Sequence, residues 1–143
     1  EAKSIRAFEG EHRWLSNFAI GHGGLTVEHY FRAAKAEYTD QFKWVMASSS
    51  PGEAKRRGRK IEMRSDWETV KLDVMLNELR RKFSVNPFRW LLIATAGREL
   101  VEVNDWGDTF WGVDERSGRG TNHLGRLLMQ VRDELASEDA KTG

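Results

Sequence analysis

Ser65-Asp66-Trp67-Glu68-Thr69-Val70-Lys71-Leu72-Asp73-Val74-Met75-Leu76-Asn77-Glu78-Leu79-Arg80-Arg81-Lys82-Phe83 decides the fold class. Ser65 and Glu68 stand at capping-box spacing, which satisfies two of the amides a helix start leaves unbonded. Behind them Trp67, Val70, Val74, Met75, Leu79 and Phe83 share three-and-four spacing, the mark of one apolar helix face. The stretch therefore predicts a long helix that buries this stripe. Similar start signals lie upstream. Thr26 is placed to cap a helix carrying Glu28 and Lys35. In Ser50-Pro51-Gly52-Glu53, Ser50 caps, Pro51 takes the first helical position and Glu53 completes a box. Further helices are expected over residues 40–47, from Asn86-Pro87 on Trp90, Leu91, Ile93 and Ala94, and over 122–135 on Leu124, Leu127, Leu128, Val131 and Leu135. Strand signals are short: residues 4–8, the alternating 99–103, and 110–113. Residues 14–26 and 104–120 read as loops. The sum is an α+β, predominantly helical fold. It is expected to form a single compact domain over 1–143, with its core at about 4–136 and a fraying tail at 137–143.

The chain has 143 residues, enough for one domain with a real core, and its six Trp and seven Phe supply large core pieces. It has no Cys, which excludes disulfides and thiolate chemistry. No run is long enough to span a membrane, and the N-terminal residues lack a signal-peptide pattern. These features fit a cytoplasmic protein. The net charge is only +1, so any contact with nucleic acid is expected to be local rather than a matter of bulk charge.

The segment Thr26-Val27-Glu28-His29-Tyr30-Phe31-Arg32-Ala33-Ala34-Lys35-Ala36 holds the most telling pair. Glu28 and Lys35 are two helical turns apart, about 10 Å along the axis, on one face with Phe31 between them. A carboxylate and an amine that converge on one ligand can do acid/base and nucleophilic chemistry. The same spacing also fits the plain rim of an amphipathic helix. Three other segments carry chemistry or structure. Asn104-Asp105-Trp106-Gly107-Asp108-Thr109-Phe110-Trp111-Gly112-Val113 is either a stacking wall with acceptors for a heterocycle or a loop pinned by its aromatics. Gly118-Arg119-Gly120-Thr121-Asn122-His123-Leu124-Gly125-Arg126 is either a phosphate cradle at a helix start or a glycine-rich turn. Ser16 and Asn17, between Leu15 and Phe18, fix a turn or read a ligand edge. The basic run Lys55-Arg56-Arg57-Gly58-Arg59-Lys60 is a solvated face or a phosphate contact. His12, His22, His29 and His123 show no metal-ligand spacing, and no serine nucleophile elbow is present. No metal and no cofactor are expected.

Taken in order, these blocks resemble the NADAR superfamily, also called the YbiA-like family. The matching residues are Leu15-Ser16-Asn17-Phe18; Glu28-His29-Tyr30-Phe31 with Lys35; Trp67; Lys82-Phe83; Leu91-Leu92 with Thr95; Leu100-Val101-Glu102; Asp108 with Phe110-Trp111-Gly112; and Gly120, Asn122, Leu124-Gly125-Arg126, Leu127-Leu128-Met129 and Val131-Arg132. The match spans about residues 8–135. The resemblance implies N-glycosidase activity on a phosphorylated ribose linked through nitrogen to a base. The substrate would be either ADP-ribosylated guanine in DNA or RNA, or a phosphoribosylamino-pyrimidine intermediate of riboflavin biosynthesis. Aromatic residues often follow the Ser-Asn-Phe block in this family. Here Ala19 and Ile20 follow, so the resemblance leaves the choice of substrate open.

On this reading Glu28 and Lys35 are the catalytic residues, and Asn17, Phe18 and Arg32 line the substrate site. Glu28 stabilises the positive charge that builds on the sugar or moves a proton. Lys35 either binds as an ammonium or attacks C1′ of a ring-opened sugar as a neutral amine. Trp67, Trp111 and Gly112 meet base or sugar, and Asp108 accepts from base edge or ribose hydroxyls. Asn122, Gly125 and Arg126 hold the phosphates. A non-catalytic ADP-ribose or NAD reader is the competing class. It needs no amine beside a carboxylate at the sugar. A helical interaction scaffold leaves the Trp/Asp loop and the Gly/Arg segment without a purpose.

Overall fold

The computed structural model describes residues 3–142. Its helices are α1 Val27–Ala34, α2 Thr39–Met46, α3 Pro51–Gly58, α4 Trp67–Lys82, α5 Phe88–Ile93 and α6 His123–Thr142, and its strands are β1 Val103–Asn104 and β2 Val113–Asp114. The fold is α+β and mainly helical, as the apolar periodicities require. Contacts concentrate in two compact units. One is Asn17–Glu78; the other joins the residues up to Ser16 with those from Leu79 onward, so the division falls inside α4.

In the first unit, local chemistry sets the helix starts. The Thr26 hydroxyl accepts the His29 amide at 3.2 Å, and His29 Nδ1 reaches back to the Thr26 amide at 3.4 Å and the hydroxyl at 2.8 Å. This is a capping box with histidine in the place usually taken by Glu or Gln. His29 Nε2 lies 3.0 Å from the Ser48 carbonyl, which can only accept, so that nitrogen carries the hydrogen and Nδ1 accepts from Thr26. At α3, Ser50 Oγ accepts the Glu53 amide at 3.1 Å. The Glu53 carboxylate passes over Ser50 and takes the Ser49 amide and hydroxyl, at 3.1 and 3.3 Å, so the expected box is displaced by one residue. Ala33, Val45 and Ala54 are fully buried against each other, with Met46 and Ile61 packed around them. Small side chains here let α1, α2 and α3 approach closely.

The second unit buries Ile5, Leu15, Leu79, Phe83, Leu92, Leu100, Leu128 and Val131. The strand expected over 4–8 reduces to one parallel bridge, Ile5 to Leu100. The pairs Val103–Val113 and Asn104–Asp114 form the short parallel sheet. Two expectations fail for tertiary reasons. Trp90 is 67% exposed, and α5 buries Leu92 instead. α6 runs on to Thr142, beyond the helix end expected at about 135. Glu134 pairs bidentately with Arg80, at 2.9 and 2.7 Å, and Arg89 pairs with Asp139 and, at 3.8 Å, with Glu138. Residue 143 lies outside the described residues.

Candidate active site

The Thr26 cap places Glu28 in the first turn of α1 and leaves Lys35 as the residue that closes it. Glu28 is 5% exposed, and Arg32, one turn on, donates from Nε to Glu28 Oε1 at 2.6 Å. The Arg32 guanidinium also lies 5.8 Å from the Phe31 ring centroid. The Lys35 amine donates to the Gly58 carbonyl at 3.1 Å. Burial pushes its pKa below the ordinary lysine value, and the cations Arg32 and Arg59 add to that; the carboxylates Glu28 and Glu68 pull the other way. Glu28 is therefore near enough for its charge to act on Lys35, as the spacing predicts. The arrangement supplies a carboxylate held by a guanidinium and an amine whose neutral form is favoured relative to an ordinary lysine.

Asn17 completes this group. Its backbone carbonyl accepts the Glu28 amide at 3.1 Å, and its side-chain Nδ2 makes only a weak 3.6 Å contact with Met75 sulfur. Asn17 Oδ1 is buried with no hydrogen-bond partner among the described residues. Such an orphaned acceptor is uncommon in a native interior. Phe18 is half-buried in the turn that follows. Trp67 is not a wall open to a ligand. It is buried, with its ring centroid 5.0 Å from that of Phe31, because it lies on the core stripe of α4.

The other predicted residues lie together in the second unit, where most of their polar groups are spent on folding. Asp108 Oδ1 accepts the amides of Phe110 and Trp111, each at 2.9 Å. Buried Asn104 stitches the same loop by accepting the Asp108 amide at 2.9 Å and donating to the Asp108 carbonyl at 2.8 Å. Trp111 is half-buried, edge-on to Phe110 at 4.8 Å. A Cβ on Gly112 would collide with the Glu102 carbonyl, and one on Gly125 with the Leu100 carbonyl, so both glycines are set by close packing. Asn122, in the left-handed region at φ 55°, donates to the Leu100 carbonyl at 2.9 Å and accepts the Glu102 amide at 3.0 Å. The proposed phosphate cradle is largely occupied. The amides of Asn122, His123 and Leu124 go to the carbonyls of Gly112, Phe110 and Trp111, at 3.2, 3.1 and 2.9 Å. Of the three residues expected to hold phosphate, only Arg126 presents an exposed side chain.

A profile of the NADAR domain matches residues 9–136. The chain belongs to the NADAR family. It is 44% identical over 136 residues to the N-glycosidase YbiA of Escherichia coli strain K12, covering 87% of this chain and 82% of that protein. It is 42% identical over 123 residues to the chloroplastic riboflavin biosynthesis protein PYRR of Zea mays, which covers 77% of this chain but 19% of the maize protein. The NMR structure of Escherichia coli YbiA matches this fold with a TM-score of 0.82 at 38% identity, over 96% of this chain and 86% of that one.

Three groups of this NADAR domain were named from the sequence only within the family resemblance and given no role: buried Lys82 and Arg132, and half-buried Glu102. Lys82 is 4% exposed, donates to the Ser16 carbonyl at 3.0 Å, and has its pKa pushed down to about 7 by burial. Glu102 has one carboxyl oxygen buried without a partner among the described residues, and burial, with Asp108 and Glu9 adding to it, pushes its pKa up to about 7. Arg132 donates to the Thr95 and Arg98 carbonyls at 2.9 and 2.7 Å. Lys82 carried a signal, since it follows Leu79 by three residues and so lies on the buried side of the helix. Among the described residues no group of three or more His, Asp or Glu is placed to hold a metal ion.

Proposed function

We propose that this chain is a cytoplasmic N-glycosidase that hydrolyses the bond between C1′ of a phosphorylated ribose and a base nitrogen, and that it removes ADP-ribose from modified guanine in DNA or RNA. The likeness to YbiA relatives that are N-glycosidases by name supports the reaction class. The observation that carries the reading is the state of Lys35: a half-buried amine of lowered pKa at the end of α1, within reach of the charges of the Glu28–Arg32 pair. A phosphate-binding lysine has no need of a depressed pKa, whereas a nucleophilic one does.

The chemistry follows from the linkage. An N-linked ribose opens to a chain in which C1′ is doubly bonded to the base nitrogen. The neutral Lys35 amine adds to C1′, the base nitrogen takes a proton and leaves as a free amine, and a lysine imine remains. Water adds to that imine and releases the sugar as an aldehyde, which restores the amine. Glu28 moves the protons and stabilises positive charge at C1′, with Arg32 fixing its carboxylate. The Asn17 amide oxygen accepts from a sugar hydroxyl or base N–H.

Borohydride added during turnover tests this route. The expected result is a covalent sugar adduct on the wild type that is absent from Lys35→Ala. An active enzyme that never traps rejects the lysine imine. The second reading, a phosphoribosylamino-pyrimidine substrate, has its own support in the maize and Arabidopsis thaliana relatives named for riboflavin biosynthesis. Incubation with each substrate, followed by chromatography for the freed base, separates the two. Release of base from neither leaves a non-catalytic ADP-ribose reader.

A further inference from the structure

The basic run Lys55–Lys60 has no part in the reaction as proposed, yet it contains the residue on which Lys35 rests. Gly58 closes α3 and is buried. Its carbonyl takes the Lys35 amine at 3.1 Å. A Cβ at Gly58 would lie 3.1 Å from both Cβ and Cδ of Arg32, and 3.4 Å from Cγ. Cδ can swing aside, but Cβ is fixed to the α1 backbone, so α1 itself would have to give. Gly52, in the first turn of the same helix, is different. A Cβ there meets only Arg56 Nη1 at 3.5 Å and Ser50 Oγ at 3.9 Å, which is ordinary contact.

We propose that Gly58 is a positioning residue of this site: its missing side chain sets how closely α1 approaches the end of α3, and its carbonyl holds one hydrogen of the Lys35 amine and so orients the nitrogen lone pair away from α3. This inference rests on the reading of Lys35 as the nucleophile. The charged groups acting on the amine are Glu28 and Arg32 on α1, Arg59 just after α3, and Glu68 on α4. Burial, Arg32 and Arg59 all hold the amine towards its neutral form, and Gly58 touches Arg32 and precedes Arg59. Separating α1 from α3 weakens the burial and the influence of Arg59 together, while Arg32 shares α1 with Lys35 and moves with it.

The test is a pH titration of the lysine ε-carbons by NMR in the wild type, Gly58→Ala and Gly52→Ala, with the Lys35 signal assigned by its loss in Lys35→Ala. The wild-type Lys35 midpoint is expected below the ordinary lysine value, and Gly58→Ala is expected to raise it by about one pH unit or more. The acid limb of activity should move with it. Gly52→Ala is expected to leave both in place. A midpoint unmoved by Gly58→Ala overturns the proposal. If that variant does not fold, the wild-type midpoint decides, and an ordinary value overturns it. The titration needs no turnover, so it separates this inference from the proposed function. A shift on Gly58→Ala in a chain that cleaves no N-riboside sustains the positioning and removes the enzyme.

Discussion

The α1 face and the segment from Asn104 to Arg126 carry the same kinds of residue, and the two put them to different uses. On α1 the Lys35 amine has, among the described residues, one hydrogen-bond acceptor in the Gly58 carbonyl and so keeps capacity to spare, and Asn17 keeps an unpartnered oxygen. In the loop and the start of α6, Asn104, Asp108 and Asn122 bond backbone groups that would otherwise be buried and unpaired. A polar residue with capacity to spare is a candidate for chemistry. One whose donors and acceptors are consumed is holding a loop in shape. Residue type does not separate the cases; hydrogen-bond accounting does.

Four experiments can break or sharpen this contrast. Glu28→Gln keeps the size of the side chain and an acceptor for Arg32, so the fold should survive while turnover falls by roughly 10²–10⁴-fold. Retained turnover in a folded variant would remove Glu28 from the chemistry. The pH dependence of stability should come instead from the second unit. Between about 4.5 and about 7 the folded chain holds a proton on Glu102 that the unfolded chain has released, so stability falls as pH rises. Between about 7 and about 10.5 the unfolded chain holds the Lys82 proton that the folded chain has lost, so stability rises. Urea midpoints across pH should pass through a minimum near neutrality, each limb on the order of a few kcal/mol. Glu102→Gln should flatten the acid limb and Lys82→Met the alkaline limb; a flat wild-type profile would reject both.

Asn122→Ala strips the Leu100 carbonyl and the Glu102 amide of their partner and puts a Cβ residue without a polar side chain at a positive φ. It should destabilise by about 2–4 kcal/mol in urea unfolding. Substantial loss of affinity in a fully stable Asn122→Ala would instead place that residue among the binding groups. The smallest effect belongs to Arg126→Ala. If the exposed guanidinium meets substrate phosphate, binding should weaken by roughly tenfold, and the loss should grow with the number of phosphates. Equal affinity in titration calorimetry would leave phosphate to other residues.

The sequence made the locally encoded features legible. The Thr26 and Ser50 caps, the α4 stripe and the placing of Glu28 and Lys35 on one helix face depend on residues within a few positions of each other. Features that depend on distant partners were not legible. The glycine-rich segment before α6 looked like a phosphate cradle because the carbonyls that occupy its amides come from Phe110, Trp111 and Gly112. Trp67 fitted either a stacking wall or a core residue until Phe31 was seen against it. The exposed Trp90 could not be foreseen, because a six-residue helix offers too few positions for periodicity to say which side is buried.

The buried, unpartnered Asn17 oxygen has a practical side. A small amide, urea or aminopyrimidine fragment that offers it an N–H reaches it only where the turn at Asn17–Phe18 moves enough to uncover it. Uncharged fragments that bind beside α1 would therefore report that this turn opens, a motion that highly charged nucleotide mimics need not reveal.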